Sequence, residues 1–278
     1  MIFDSRPCEL GEGALWHPVR EQLFWFDILN RTLHGKEQSW TFPDLVSAAG
    51  WIDRDTLLIA SETGLFGLDL GTGATRPVAQ AGSPVTRSND GRADRQGGFW
   101  FGTMGKKAEK AAGAIWRWYR GELRLLFKGV TIPNAICFTL DGRAAHFADT
   151  ATGQVFKVAL DAEGWPAGEP ETWLDLARAG LNPDGAVIDS EGLFWNAQWG
   201  AGRVAAYAPD GSFLRAVETP GATQSSCPAF GGEDMTTLFV TTALEHMDAA
   251  ARAAHPASGQ VFAFPGIARG LPEPQVQT

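Results

Sequence analysis

Polar side chains of types that can bind a cation stand at or near the start of short apolar runs at four places in the chain. Glu12 lies between two glycines, Asn89 follows Arg87 by two residues, and Asn134 and Asp184 each follow a proline. Carboxylate and amide oxygens suit a hard divalent cation. The alternative is that each is a turn residue bonded to its own backbone. The choice depends on whether the fold brings them together.

The segment around Asp184 shows which elements would position these residues. Between Leu181 and Tyr207, three short apolar runs are separated by glycine-containing turns at residues 190–192 and 199–202. This pattern is typical of consecutive antiparallel strands, because glycine allows the positive φ of tight turns. Asp184 then lies where the first strand begins, at the rim of a sheet.

The same unit occurs six times along the chain. Its second strand carries a large apolar residue at intervals of roughly 35 to 50 residues, the repeat length of four-stranded propeller blades. These positions are Phe24, Leu58, Trp100, Phe147, Phe194 and Phe239. The pattern predicts an all-β protein, a six-bladed β-propeller that forms a single domain over residues 1–278. Residues 2–9 would supply the outer strand of the last blade, residues 106–110 a loop, and residues 247–254 a helical insertion.

Composition excludes several classes of function. The net charge of −9 argues against nucleic acid as a partner, which needs a basic face. No apolar run approaches the length that spans a bilayer and no leader pattern precedes the first strand, so we expect a soluble cytoplasmic protein without a membrane partner. The three cysteines are far apart, which argues against disulfides and a thiolate zinc site. The five histidines avoid the strand-opening positions and are expected to be structural or exposed.

In order along the chain, several motifs together resemble the senescence-marker-protein/gluconolactonase/regucalcin family. They are Gly11-Glu12-Gly13 with Trp16, Arg87-x-Asn89-Asp90 with Gly102-Thr103-Met104, Ile132-Pro133-Asn134 with Ala148-Asp149-Thr150, Pro183-Asp184-Gly185 with Asp189-x-Glu191-Gly192 and Trp195, and Val240-Thr241-Thr242. The likeness covers essentially the whole chain.

The resemblance implies a six-bladed propeller that binds one divalent metal ion and hydrolyses a sugar lactone to the aldonic acid. By that resemblance Glu12, Asn134 and Asp184 ligate the metal, whereas Arg87 and Asn89 hold the substrate. The ion is open among Ca, Mg, Mn, Zn and Fe(II), and so are the lactone, its ring size and the oligomeric state. We expect Asp184 to act as general base toward the attacking water.

The chain departs from the family pattern at three places. Ala135 follows the ligand asparagine where the family usually has glycine, and Ala14 stands where a proline is common. Some members place a substrate-contacting acidic residue shortly after Gly-Thr-Met, where this chain has Lys106 and Lys107, with Glu109 slightly beyond. Glu109 is therefore our third candidate for substrate binding, and whether it or Lys107 reaches the substrate stays open.

Two other functions remain alternatives. One is a non-catalytic calcium-binding protein, although a closed propeller offers no evident moving element for a calcium sensor. The other is a metal-dependent esterase acting on aryl or phosphate esters, for which an apolar funnel above the metal would be expected. The sequence leaves open whether Asp90 braces its loop or lies near the metal.

Overall fold

The computed structural model describes residues 1–278 and contains six four-stranded antiparallel sheets. Blade 6 takes its outermost strand from the start of the chain, β1 (Ile2–Asp4). Blade 1 consists of β2 (Gly11–His17), β3 (Gln22–Asp27), β4 (Thr32–His34) and β5 (Ser39–Thr41). Blade 2 consists of β6 (Val46–Trp51), β7 (Thr56–Ser61), β8 (Gly64–Asp69) and β9 (Thr75–Gln80). Blade 3 consists of β10 (Thr86–Ala93), β11 (Phe99–Gly105), β12 (Gly113–Tyr119) and β13 (Glu122–Val130).

The second half of the chain repeats this arrangement. Blade 4 consists of β14 (Pro133–Phe138), β15 (Ala144–Asp149), β16 (Gln154–Ala159) and β17 (Glu171–Asp175). Blade 5 consists of β18 (Asn182–Ile188), β19 (Phe194–Trp199), β20 (Arg203–Tyr207) and β21 (Phe213–Glu218). Blade 6 adds β22 (Ser225–Gly231), β23 (Thr237–Thr242) and β24 (Val261–Phe264) to β1. A single six-residue α-helix, α1 (Ala249–Ala254), lies between β23 and β24, and no helix has the length and apolar character needed to cross a membrane.

The first strands of the blades form the wall of a central channel. Each contacts the first strand of the next blade, and β22 contacts β2, so the ring is closed. The predicted six-bladed β-propeller is therefore confirmed. The predicted loop at residues 106–110 and the helical insertion are also present.

The core consists of apolar clusters between neighbouring blades, to which the second strands contribute their repeated large side chains. Blades 3 and 5 share the motif Asp-x-x-Gly-x-Phe-Trp, at residues 94–100 and 189–195. In both, the aspartate accepts two backbone N–H groups of its turn and the indole N–H of the tryptophan. Each buried tryptophan is thus tied to the turn that joins the first and second strands.

Residues from the start of the chain close the ring. Strand β1 pairs with β24, with Ile2 opposite Phe262 and Asp4 opposite Val261. The outer strand that we predicted from residues 2–9 is present, but it ends at Asp4 because the chain then turns toward Gly259, whose carbonyl accepts the N–H of Cys8.

The C-terminal segment, residues 265–278, crosses one end of the channel. This is the end at which the inner strands finish. Glu273 forms a buried ion pair with Arg92, and the indole N–H of Trp51 donates to the Glu273 carbonyl at 2.8 Å. Val276 joins the core between blades 2 and 3, and its N–H donates to the carbonyl of Trp51. This end of the channel is therefore capped by the protein's own chain.

Candidate functional site

All six inner strands pair irregularly with their second strands, and in four of them the irregularity lies near a position that the sequence analysis selected. The register shifts between Glu12 and Leu15, Ser88 and Gly91, Asn134 and Cys137, and Pro183 and Ala186, with similar shifts in β6 and β22. A β-bulge bends its strand and changes the direction of the side chains. The bulges provide a common reason why the polar residues of different blades meet.

Two of these bulges use a left-handed backbone directly after a candidate ligand. Gly13 has φ = 57° and Ala135 has φ = 54°. A Cβ at Gly13 would lie 2.2 Å from the carbonyl oxygen of Ser47, so glycine is required there. Ala135 is fully buried and adopts the same φ with a methyl group in place. The departure from the family's usual glycine therefore leaves the bulge intact but strained.

A cavity of about 630 Å³ opens at the end of the channel opposite the C-terminal cap, where the inner strands begin. Five of the six predicted site residues line it, namely Glu12, Arg87, Asn89, Asn134 and Asp184. Its other walls include Leu29, Leu45, Met104, Lys106, Lys107, Ile132, Thr150, Trp199, Glu245 and His246. The fold thus gathers residues from blades 1, 3, 4 and 5 around one space.

Glu109, the sixth predicted residue, does not line the cavity. Its Oε2 accepts the backbone N–H of Lys107 at 3.0 Å, and a Cβ at Gly105 would lie 2.2 Å from that oxygen. Glu109 therefore folds back along its own loop, whereas Lys107 lines the cavity.

Two buried carboxyl groups form the floor of the site. Glu12 and Asp184 are 6% and 4% exposed, and their side chains share a hydrogen bond. Burial raises the pKa of Glu12, and the nearby charge of Asp90 raises it further. Burial and the charge of Glu12 raise the pKa of Asp184 well above its ordinary value. A positive charge brought to this pair would favour its full ionisation.

The amide of Asn134 is fixed beside these carboxyl groups by a chain of hydrogen bonds. Its Nδ2 donates to Thr150 Oγ1 at 2.8 Å, and that hydroxyl donates to the carbonyl of Pro183 at 2.6 Å. The Oδ1 of Asn134 accepts one N–H of Asn89 at 3.1 Å, and its second lone pair stays free. Thr150 is not among the site residues predicted from the sequence, although the Ala-Asp-Thr motif at residues 148–150 indicated that this position belongs to the family pattern.

Arg87 is held by the neighbouring asparagine. Its Nη1 donates to Asn89 Oδ1 at 2.7 Å and to the carbonyl of Ser88 at 2.9 Å, while its Nε and Nη2 donate to no protein atom. The Asn89 amide also donates to the carbonyl of Pro133 at 2.9 Å, so its hydrogen-bonding groups are engaged within the protein. Asn89 thus orients Arg87 and Asn134, and Arg87 keeps free donors.

Asp90 lies beneath the site and does not line the cavity. Its Oδ1 accepts the N–H of Gly91 at 2.8 Å, and its Oδ2 accepts the N–H of Ile136 in blade 4 at 2.7 Å. It therefore braces blades 3 and 4. Among the five histidines only His246 lines the cavity, and its side chain is exposed.

The donor set fits a hard divalent cation. No group of three or more His, Cys, Asp or Glu side chains suited to a metal is present, but two buried carboxylates and the oriented Asn134 oxygen provide three oxygen donors. Arg87 is the only cationic residue deep in the cavity, and one of its nitrogens is occupied by Asn89. A divalent cation would balance the two carboxylates and use the spare lone pair of Asn134.

Comparison with known families agrees with this arrangement. Residues 10–244 match the model of the SMP-30/Gluconolactonase/LRE-like region. The chain belongs to the SMP-30/gluconolactonase family.

Similar members of the SMP-30/gluconolactonase family match over nearly their full length. A putative sugar lactone lactonase of Rhizobium meliloti (strain 1021) is 42% identical, over 96% of this chain and 93% of that protein. The L-arabinolactonase of Azospirillum brasilense is 36% identical, over 94% and 90%. The crystal structure of a calcium-binding protein, regucalcin, from Agrobacterium tumefaciens superposes with a TM-score of 0.97 at 39% identity and covers 100% of this chain and 97% of that one.

Proposed function

We propose that this protein is a sugar lactonase that hydrolyses an aldonolactone to the aldonic acid, with one divalent cation held by Glu12, Asn134 and Asp184. The observation that carries the proposal is the pair of buried carboxyl groups beside an oriented amide oxygen at the floor of a polar cavity. Relatives named as lactonases match almost the whole chain, which supports a hydrolase acting on lactone ester bonds.

A divalent cation bound at this site supplies a Lewis acid that stabilises negative charge developing on a carbonyl oxygen. Water adds its oxygen to the lactone carbonyl carbon, and Asp184 takes the proton that the water loses. The ring C–O bond then breaks, and Asp184 returns the proton to the ring oxygen, which leaves as the hydroxyl of the aldonic acid. Glu12 and Asn134 would hold the cation beside the Asp184 carboxylate.

Arg87 is the substrate-binding residue with free donors. Its Nε and Nη2 can donate to ring or hydroxyl oxygens, while Asn89 fixes the guanidinium by its Oδ1. The cavity of about 630 Å³ has room for a monosaccharide lactone with its first waters. Asn89 would thus serve substrate binding by positioning Arg87.

The test is proton release from a panel of five- and six-membered aldonolactones. The protein is first stripped with a chelator and then refilled with Ca, Mg, Mn, Zn or Fe(II) singly. We expect hydrolysis of at least one lactone to return with one ion, and Asp184→Asn to remove most of that turnover. Asp210→Asn, an exposed carboxylate remote from the cavity, is the matched control. If every lactone hydrolysed no faster with the metal-loaded protein than without protein, the proposal would be refuted.

The cavity walls favour one second candidate. Leu29, Leu45, Met104, Ile132 and Trp199 form an apolar part of the lining, as an aryl esterase would need. Aryl acetates in the same panel test this alternative. Higher kcat/KM on these esters than on every lactone would place the esterase function first, whereas metal binding without turnover of either class would favour the calcium-binding alternative.

A further inference from the structure

The loop between β11 and β12 carries two lysines into the cavity lining. Lys106 and Lys107 both line the cavity and are exposed, whereas the carboxyl groups of the floor are buried. The chain as a whole has a net charge of −9, so cationic side chains at the mouth run against its general charge. Which of these cationic side chains is free to bind a ligand depends on which ones already pair with a protein carboxylate.

One of the two lysines at the mouth forms no ion pair. Lys106 forms an ion pair with Glu62 of blade 2. Glu245 lies close enough to Arg87 to attract its charge, and the two floor carboxylates are balanced by a divalent cation in the proposed function. Lys107 forms no ion pair: the exposed Glu109 carboxylate of the same loop is near enough to attract its charge, but it accepts the Lys107 backbone N–H. The Lys107 ammonium therefore keeps its donors free at the mouth of the cavity.

The loop holds the Lys107 backbone in a fixed place. The Lys107 N–H donates to Glu109 Oε2, the preceding N–H donates to the carbonyl of Val85, and the N–H of Ala108 donates to the carbonyl of Gly105 at 2.8 Å. The N–H of Ala111 further ties the loop to Thr131 Oγ1 at 3.1 Å. An ordered backbone with a free ammonium lowers the cost of positioning that charge for a ligand.

We propose that Lys107 is a specificity-determining residue that recognises an anionic group on the substrate, at the end of the sugar remote from the lactone carbonyl. A carboxylate, phosphate or sulfonate would share this chemistry, because an ammonium acts as a point charge with three donors. The inference rests on the proposed lactonase function and narrows its substrate class to anionic lactones. Glu109 then acts through the loop backbone instead of touching the sugar.

The test compares a neutral lactone with its anionic counterparts. Glucono-1,5-lactone, 6-phosphoglucono-1,5-lactone and the 1,5-lactone of glucaric acid differ at the remote carbon, and the last two separate phosphate from carboxylate. The measured quantity is the ratio of kcat/KM for each anionic lactone to that for the neutral one. We expect Lys107→Ala to lower the ratio about three- to fivefold and Lys107→Glu about tenfold or more, as for exposed charge pairs.

Lys107→Arg should restore most of the ratio, and raising the salt concentration should lower it in the wild type. Lys110→Ala is the matched control, because Lys110 lies on the same loop, is exposed and does not line the cavity. A ratio that stays within about twofold of wild type in Lys107→Glu, or that falls equally in Lys110→Ala, would overturn the inference.

A binding measurement separates this inference from the lactonase proposal. Calorimetry with gluconate and 6-phosphogluconate reports recognition of the anionic group without turnover. If the protein hydrolyses no lactone, the lactonase proposal fails, while a preference for 6-phosphogluconate that Lys107→Glu abolishes still supports the role of Lys107. Equal affinities for the two acids in the wild type would overturn it whatever the turnover.

Discussion

The hydrogen-bonded carboxyl groups of Glu12 and Asp184 make the stability of the metal-free protein depend on pH in an unusual direction. Burial raises the pKa of Glu12 to about 8. A carboxyl group whose pKa is higher in the folded protein than in the unfolded chain stabilises the fold at low pH, and this stability is lost as the pH rises toward the folded value. We expect the free energy of unfolding to fall between about pH 6.5 and pH 8, where most proteins change little.

The magnitude follows from this pKa. Each pH unit in this window costs about 1.4 kcal/mol per group, so the loss is about 2 kcal/mol, or about 4–8 °C in Tm. The window starts at the ordinary pKa of histidine, because His146, whose pKa burial lowers to about 3, destabilises the fold at lower pH. A divalent cation at a hundred times its Kd would return about 2.7 kcal/mol at pH 8.

Differential scanning calorimetry of chelated protein at several pH values measures this effect. Asp184→Asn removes one of the two charges, so its Tm should fall less across the window and should gain nothing from added metal. Asp234→Asn is the control, since this exposed carboxyl group has a lowered pKa and does not titrate in the window. A wild-type Tm that is flat or rising between pH 6.5 and 8 without metal would show that the floor carboxyl groups are not buried as described.

Three further changes test the architecture by urea unfolding. Ala135→Val places a β-branched side chain at φ = 54° and should cost about 1–3 kcal/mol, whereas Ala135→Gly should keep metal affinity. Glu273→Ala leaves the buried guanidinium of Arg92 unpaired and should cost about 3–5 kcal/mol. Trp195→Phe removes the N–H that Asp189 accepts at 2.8 Å and should cost about 1–3 kcal/mol. An unchanged urea midpoint in Ala135→Val, Glu273→Ala or Trp195→Phe would contradict the structural feature that the variant tests.

The sequence predicted the blades because each one carries a large apolar residue in its second strand, with a glycine-containing turn beside it in every blade except blade 1. It also selected Glu12, Asn134 and Asp184, which the structure brings around one cavity, although their roles toward a metal remain predictions. Glu109 could not be placed, because its position depends on a hydrogen bond to the Lys107 N–H that no spacing rule encodes. The C-terminal cap was not predicted either, since residues 265–278 have no periodic apolar pattern.

The pairing of β1 with β24 also has a consequence for how the chain is made. Met1 and Ala263 exchange backbone hydrogen bonds across 262 residues, whereas the strands of blades 1 to 5 pair with neighbours made only moments earlier. The first strand therefore stays without its partner until residue 264 has been synthesised. Contacts of such long sequence separation form slowly, so we expect closure of the ring to come late in folding. Until then the unpaired edges of β1 and β24 are open to wrong pairing with another chain.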